Sequence, residues 1–266
     1  MEKRPNKLRE ALRKNKPSLG TRVETTWPYI TELAASSGMY DYIQFDGEYS
    51  PYSQADVENI CRASELFGCA TVVKVDRQNR AFVAQKAIAS GAHGILFADL
   101  YNAEEVRQTI YEILPSAPEG GIFGRPNRRF GMNGSGRMKV KDYVSQVNDV
   151  VKMIMIEKEE AIKNLKEIVQ VPGVDMVAFG PHDYAMNVGW EPEEHEEDLE
   201  NIHRQMIEIA LDYDVQPVIL LNDTSEMEKY YRWGARHFNI GDELCTHMAF
   251  HQKEGKRARN LLNTEK

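Results

Sequence analysis

Residues 152–180 read KMIMIEKEEAIKNLKEIVQVPGVDMVAFG, and this stretch decides the fold class. It contains an apolar run at 152–157, apolar residues at helical spacing over 159–169, and a second apolar run at 175–180. Gly173 stands between the helix and the second run, where loops from helix to strand commonly carry glycine. Because both runs are apolar on both faces, they are typical of buried parallel strands covered by helices.

The same alternation of strand and helix extends in both directions along the chain. The predicted strands are residues 21–24, 41–46, 71–75, 94–99, 152–157, 175–180, 217–221 and 237–240. The predicted helices are residues 28–37, 54–67, 81–90, 103–114, 140–150, 159–169, 196–213 and 225–233. Asn102 and Asp223 are placed like helix N-caps. Glycine follows four of the helices, at Gly68, Gly91, Gly173 and Gly234.

Eight strands that alternate with eight helices predict an α/β fold, the (β/α)₈ TIM barrel, with a doubly wound open sheet as the alternative. The 266 residues suit one such domain over 1–266, with an N-terminal helix and a C-terminal helical extension. The longest irregular stretch, 115–138, is rich in Gly, Pro and Arg and is expected to be a loop over the carboxyl end of the barrel.

Charge and composition exclude several classes of protein. A net charge of −8 argues against binding to nucleic acid or to an anionic membrane surface. No apolar run approaches the roughly 20 residues that span a bilayer. Cys61, Cys69 and Cys245 show neither a metal-site spacing nor a disulfide framework. We therefore expect a cytoplasmic protein whose partners are small molecules.

Acidic residues follow nearly every predicted strand. In a (β/α)₈ barrel the carboxyl ends of the strands form the face that carries the active site. The acidic residues at or just after these ends are Glu24, Asp46, Glu48, Asp76, Asp99, Glu157, Asp183, Asp223, Asp242 and Glu243. So many carboxylates in one ring would repel each other, and a bound cation is the simplest remedy. Oxygen ligands favour a hard divalent ion such as Mg²⁺ or Mn²⁺.

Glu157 and Asp183 are the strongest candidates for metal ligands. Glu157 ends the run MIMIE, so its carboxylate is expected to point from a buried strand end into the barrel mouth. Asp183 lies in FGPHDYAM, where Gly180 and Pro181 predict a tight turn whose N–H groups can face an anion. From the residues alone, a helix N-cap or a rim salt bridge explains Glu157 equally well, and an Asx turn explains Asp183 equally well.

Four stretches resemble the HpcH/HpaI aldolases, the class II pyruvate aldolases, which are related to the citrate lyase beta-like superfamily. DYIQFDGEYSPYS (41–53) resembles the family's Asp-x-Glu-His-x-Pro signature. SGAHGILFADLYNAEEV (90–106), APEGGIFG (117–124) and MIEKEEAIKNLKEIVQVPGVDMVAFGPHDYAMNVG (155–189) follow in the family's order. The resemblance spans 6–262, and the stretch 155–189 is its most specific part.

The resemblance implies a barrel of the phosphoenolpyruvate/pyruvate-binding type and a metal-dependent carbon–carbon lyase that acts on a 2-oxo acid. In the family, a Glu and an Asp hold the metal ion, and they correspond to Glu157 and Asp183. The ion, here Mg²⁺, Mn²⁺ or Co²⁺, polarises the ketone and stabilises the enolate. Asp46 corresponds to the residue that holds a metal-bound water or a neighbouring ligand. The turn at 180–182 presents N–H groups to the substrate carboxylate, and the family forms trimers and hexamers.

The chain departs from the family's pattern around the substrate. Tyr49 stands where the family has His, Lys74 where it has a substrate-binding Arg, and Met155 where it has Gln. Phe123 replaces the loop Arg, and Ala89 replaces the acidic partner of the family's His. The resemblance therefore implies a retained metal site beside a rebuilt pocket, lined in part by Met155.

Other residues can replace the lost groups. Lys74 can pair with the acid group of the substrate as a point charge, and a Schiff base at Lys74 is the alternative. Tyr49 or His182 can take part in proton transfer. Arg125 and Arg128 can bind a phosphate or a second carboxylate, or form a salt-bridge patch between subunits. Two further hypotheses stay open: a decarboxylation, hydration or thioester-linked lyase reaction at the same site, and a barrel that binds a metabolite without turnover.

Overall fold

The computed structural model describes residues 6–118, 120–125, 132–133 and 136–263. The strands are β1 (Ser18–Val23), β2 (Tyr42–Asp46), β3 (Ala70–Val75), β4 (Gly94–Phe97), β5 (Met132–Asn133), β6 (Gly136–Arg137), β7 (Val151–Ile156), β8 (Met176–Phe179), β9 (Gln216–Leu221) and β10 (His237–Ile240). All except β5 and β6 form a closed parallel barrel in sequence order, with β10 paired to β1. This confirms the predicted (β/α)₈ barrel. β5 and β6 form an antiparallel hairpin within the predicted loop.

Helices cover the outside of the barrel and its amino end. They are α1 (Lys7–Arg13), α2 (Pro28–Ser36), α3 (Gln54–Leu66), α4 (Arg80–Ser90), α5 (Ala103–Ile113), α6 (Val140–Asn148), α7 (Glu159–Lys163), α8 (Leu165–Val169), α9 (Pro181–Val188), α10 (Glu196–Asp212), α11 (Met227–Arg232) and α12 (Glu243–Asn263). The helix predicted over 159–169 is interrupted at Asn164, whose side chain donates to the carbonyl of Tyr101 at 3.1 Å. The sequence pattern did not predict α9 as a separate helix.

Most of the predicted helix ends are confirmed. The Asn102 side chain accepts the N–H of Glu105 at 3.0 Å, as an N-cap does. The four predicted glycines all have positive φ, for example +118° at Gly91. The prediction for Asp223 is wrong: α11 begins four residues later, and Asp223 accepts the N–H of Ser225 at 2.8 Å in an Asx turn.

The core has two layers because successive strand residues face opposite sides of the barrel wall. On β7, Ile154 and Ile156 pack outward against the helices, whereas Met153 and Met155 belong to the cluster inside the barrel. The residues of both layers are buried. Glu157 lies two residues after Met155, so the same alternation places it on the inner side of the barrel wall.

Helix α1 closes the amino end of the barrel. Leu8 is fully buried in the interior cluster. Arg9 donates to both carboxylate oxygens of Asp175 at 2.6 Å, and also to the carbonyls of Asp149 and Val150. These partners precede β7 and β8, so the helix covers the face opposite the strand carboxyl ends. Within the described ranges, no helix is long and apolar enough to span a bilayer.

Candidate metal centre

Inward-facing positions at the carboxyl ends of the strands place the candidate side chains in the barrel mouth. Glu157 follows Met155 at the interval of two that keeps it on the inner face of β7. Asp46 is the last residue of β2, and Lys74 lies near the end of β3. The two residues are paired directly in the sheet register. Lys74 is buried, and Asp46 is half-buried.

Part of the predicted ring of acidic residues comes together in the structure. Glu48, Asp99 and Glu157 converge, with one carboxylate oxygen of each within 4.8 Å of the others. Several other members of the ring cap backbone N–H groups instead, among them Asp76, Asp223 and Glu243. Glu243 accepts from the N–H groups of Glu24 and Thr25 at 2.8 and 2.6 Å. The metal candidates in the mouth therefore form a smaller set than the sequence pattern indicates.

Glu157 has one carboxylate oxygen satisfied and one unsatisfied. Its Oε1 accepts the N–H of Asp99 at 2.8 Å. Its Oε2 is buried without a hydrogen-bond partner among the described residues. A Cβ at Gly180 would lie 3.0 Å from this oxygen, so the glycine provides the room in which Oε2 sits. Burial raises the pKa of Glu157 to about 7. The Asp99 N–H and the charge of Lys74 lower this pKa, whereas the charges of Glu48 and Asp183 raise it further.

Lys74 is held inside the site by an ion pair. Its Nζ lies 2.5 Å from Glu48 Oε2, and both side chains are only 6% exposed. Burial by itself lowers the pKa of Lys74, but the charges of Asp46, Glu48 and Glu157 outweigh burial and raise it. The amine is therefore protonated at neutral pH, which favours carboxylate binding over the Schiff-base alternative.

Tyr49 stands over Lys74, with the Lys74 Nζ 5.4 Å from the centre of the Tyr49 ring. The side chain is 70% exposed at the mouth. Loss of hydration around its hydroxyl, and then the charges of Glu48, Asp183 and Glu157, raise the pKa of Tyr49. The hydroxyl is therefore a hydrogen-bond donor in this environment rather than a ready base.

The predicted turn before Asp183 is the start of α9. Gly180 occupies its N-cap position, Pro181 its first position, and Asp183 its first turn. Asp183 is close enough for its charge to raise the pKa of Glu157. It lies outside the three-oxygen group of Glu48, Asp99 and Glu157. His182 is exposed. Metal ligation by Asp183 and proton transfer by His182 stay predictions.

Arg125 contacts its own loop and the helix that follows it. Arg125 donates to the carbonyl of Met138. Its guanidinium lies 5.9 Å from the centre of the Tyr143 ring. Arg128 lies outside the described residues. Substrate binding by these two arginines stays a prediction, as does the lining role of Met155.

Sequence reasoning missed Lys158 and did not single out Asp99. The Lys158 Nζ lies 2.8 Å from Asp99 Oδ1, at the edge of the carboxylate group. Asp99 has a φ of +54° and lies beyond the end of β4, although it was predicted as a strand residue. The available signal was adjacency: Lys158 directly follows Glu157 in the chain.

The residues present fit a hard divalent cation. A buried carboxylate oxygen without a partner, a glycine that makes room beside it, and an all-oxygen donor set are what Mg²⁺ or Mn²⁺ requires. A cation would also relieve the cost of an ionised, buried Glu157. The acidic group can therefore bind a metal ion.

Known proteins share this fold and sequence pattern. The family model described as HpcH/HpaI aldolase/citrate lyase matches residues 23–248. The 2-keto-3-deoxy-L-rhamnonate aldolase of Klebsiella pneumoniae is 26% identical over 238 residues, 89% of this chain and 86% of that one. The protein of the same name from Escherichia coli K12 is 29% identical over 189 residues, 70% and 67% of the two chains. The HpcH/HpaI aldolase of Desulfitobacterium hafniense DCB-2 superimposes with a TM-score of 0.83 at 22% identity, over 95% and 96% of the two chains.

Proposed function

Because the chain belongs to the HpcH/HpaI aldolase/citrate lyase family, it is a carbon–carbon lyase of the aldolase type, and we propose that it cleaves a 2-oxo acid to pyruvate and an aldehyde. The observation that carries this proposal is the unsatisfied Oε2 of Glu157, which is buried and faces a space kept open by Gly180. The named relatives act, by their names, on 2-keto-3-deoxy-L-rhamnonate. We propose a 2-keto-3-deoxy sugar acid as the substrate class.

Glu157 and Asp183 would hold a divalent ion, with Asp46 positioning a water beside it. Mg²⁺, Mn²⁺ or Co²⁺ in this place would supply a Lewis acid that polarises the 2-oxo group and stabilises negative charge on its oxygen. Two features support the assignment. Glu157 is a buried group with a raised pKa that a cation would relieve, and Asp183 acts on it electrostatically from α9.

The acid group of the substrate has two sets of donors within the site. Lys74 is a protonated, buried amine whose partner Glu48 can be exchanged for a substrate carboxylate. The first-turn N–H groups of His182 and Asp183 have no acceptor within α9, because its intrahelical bonds begin at Tyr184. Backbone donors at a helix start favour an anion. Arg125 and Arg128 are proposed for a second acidic group of a longer substrate.

In the cleavage direction, a base removes the proton of the C4 hydroxyl, the C3–C4 bond breaks, and the electron pair moves into the enolate of pyruvate. The enolate then takes a proton at C3, so atoms and charge balance. His182, exposed at the mouth beside Asp183, is proposed for proton transfer. Tyr49 is proposed to donate a hydrogen bond to a substrate oxygen, because its pKa is raised.

Proton exchange tests enolate formation without knowledge of the aldehyde. Metal-free protein is supplied with Mg²⁺, Mn²⁺ or Co²⁺, pyruvate is added in D₂O, and the methyl proton signal is followed by NMR. We expect metal-dependent loss of this signal. Glu157→Gln, which keeps the side-chain volume but removes the charge, is expected to abolish the exchange.

Cleavage of 2-keto-3-deoxy-L-rhamnonate, followed by the pyruvate released, tests the substrate class. Exchange without cleavage would retain the metal-assisted enolate chemistry and move the substrate to another 2-oxo acid. Metal binding with neither exchange nor cleavage would contradict the proposal and favour a different reaction at the same site or a binding protein.

We also propose a homo-oligomer, a trimer or hexamer, in which α12 packs on another subunit. The helix has 21 residues, none of which is buried. Leu244, Met248 and Phe250 are large apolar residues exposed on it. Light scattering during gel filtration should give a trimer or hexamer for the wild type and a smaller species for Met248→Asp. A wild type that runs as a monomer would contradict this assignment.

A further inference from the structure

We propose that Asp99 is a metal ligand that shares the ion with Glu157, and that Lys158 holds the Asp99 carboxylate beside the ion. The sequence resemblance assigns no role to either residue. The inference rests on the proposed function, because it concerns the same ion. It extends the proposed ligand pair to a set with a further carboxylate.

The backbone of Asp99 is fixed from both sides. Its N–H donates to Glu157 Oε1 at 2.8 Å. Its carbonyl accepts from Arg77 at 2.6 Å and from Arg80 at 3.2 Å. With φ at +54°, the residue adopts the left-handed conformation that glycine adopts most readily. These bonds bring residue 99 against Glu157 whatever its side chain is.

The side chain of Asp99, like its backbone N–H, lies beside the carboxylate of Glu157. One Asp99 oxygen lies within 4.8 Å of ligand oxygens of both Glu48 and Glu157. Two oxygens that ligate one Mg²⁺ lie at most about 4.2 Å apart, so the spacing of this set is close to what a shared ion would need. The Lys158 Nζ, 2.8 Å from Oδ1, holds the carboxylate at this edge. The structure shows no partner for the other oxygen among the described residues.

The ion pair with Lys158 does not by itself explain an aspartate at this position. Its side chains are 13% and 27% exposed, and ion pairs that water reaches contribute little to stability. Aspartate tolerates the left-handed conformation better than most residues, but glycine adopts it with less strain. The backbone bonds of residue 99 would be served by glycine as well. What aspartate adds is a carboxylate oxygen directed at Glu157.

An independent observation points to a cation at this spot. Glu157 is 1% exposed, and its Oε2 has no hydrogen-bond partner among the described residues. The Asp99 N–H donates to the other oxygen, Oε1, so Oε2 is the oxygen of Glu157 that is free to bind a cation. When ionised, this buried oxygen has no donor and lies beside two further carboxylates, so a cation from solution would stabilise it.

The metal-free full chain is titrated with Mn²⁺, and binding is followed by calorimetry and by the EPR signal of free Mn²⁺. Variants of residue 99 then distinguish the contribution of its carboxylate to metal binding from that of its backbone. We expect Asp99→Asn and Asp99→Gly each to weaken Mn²⁺ binding by about tenfold or more. Glycine keeps the left-handed backbone and removes only the side chain. Asp76→Asn is the matched control, because Asp76 caps the N–H of Asn79 at the rim. It should bind as the wild type does.

A spectroscopic test reports ligation directly. Asp99→Cys loaded with Co²⁺ is expected to show a near-ultraviolet thiolate-to-cobalt charge-transfer band that Asp76→Cys lacks. If Asp99→Asn and Asp99→Gly bind Mn²⁺ within twofold of the wild type, or Asp99→Cys binds Co²⁺ without the band, the inference is overturned and the proposed function stands. If the wild type binds no Mn²⁺, or Glu157→Gln binds it equally well, both are overturned.

Discussion

Replacement of Glu157 by Gln should stabilise the metal-free protein at alkaline pH. Burial raises the pKa of this carboxyl from 4.5 to about 7. A carboxyl whose pKa is higher in the folded state binds its proton more tightly there. The stability it contributes when protonated is therefore lost as the pH rises from about 4.5 through about 7. Because one pH unit corresponds to about 1.4 kcal/mol, the loss between pH 4.5 and pH 8 is about 3 kcal/mol.

Glutamine has the same shape and does not titrate, so the variant lacks this loss. Both the neutral acid and the amide leave one buried polar group unpaired, so the comparison across pH isolates ionisation. Urea unfolding of both metal-free proteins at pH 4.5, 6, 7 and 8 measures the difference in the free energy of unfolding. We expect the variant to gain about 3 kcal/mol on the wild type over this range.

Metal ions supply the second half of this test. Millimolar Mn²⁺ at pH 8 should stabilise the wild type, because a ligand that binds only the folded state adds to the free energy of unfolding. It should leave Glu157→Gln unchanged. A difference between the two proteins that does not vary with pH would refute the reasoning, since it would show that Glu157 ionises without cost in the folded state.

Three further outcomes are expected. Gly180→Ala places a Cβ 3.0 Å from Glu157 Oε2 and should weaken Mn²⁺ binding about tenfold in calorimetry, with little change in stability; unchanged binding would show that the oxygen does not face the ion. Arg9→Met leaves Asp175 without its cation and should lower the free energy of unfolding in urea by about 3–5 kcal/mol, while the folded variant binds Mn²⁺ normally. Burial lowers the pKa of His203 to about 3, so stability is lost as the pH falls below 6.5; His203→Phe should remove up to about 1.4 kcal/mol of that loss per pH unit, and equal pH profiles would contradict the assignment.

The barrel could be predicted from the sequence because its signals are local. Buried strands are continuous apolar runs, helix starts carry residues such as Asn102, and helix ends carry glycines such as Gly91 with a φ of +118°. Glu157 could also be placed, because residues two apart on a strand share a face. Each of these inferences needs only the few residues on either side.

The convergence of Glu48, Asp99 and Glu157 could not be predicted as well as the fold, because these residues lie far apart in the sequence. The backbone N–H of Asp99 donates to the side chain of Glu157 across 58 positions, and the left-handed conformation of Asp99 was not indicated by the strand pattern at 94–99. Lys158 has the sequence context of a helix start, and only the closed barrel turns its amine back to Asp99. Asp223 shows the opposite failure, since a local cap signal there formed a turn instead.

We infer that Glu48 links the proposed metal ion to Lys74, the residue proposed to bind the acid group of the substrate. The Glu48 carboxylate pairs with Lys74 at 2.5 Å and also belongs to the three-oxygen group with Glu157. Glu48 would be drawn toward a cation held by this group and would pair less strongly with Lys74, whose amine would then be available to a substrate carboxylate. By linkage, the ion and the acid then strengthen each other's binding by the same factor.

Glu48→Gln should therefore reduce this coupling. A neutral amide does not neutralise Lys74, so the amine can receive an acid in the absence of metal. We expect calorimetric titration with pyruvate to show at least about fivefold tighter binding upon addition of Mn²⁺ to the wild type, and a smaller factor for the variant. Equal factors would show that Glu48 holds Lys74 in both states, and that the substrate acid binds elsewhere, with the N–H groups at the start of α9 as the remaining donors.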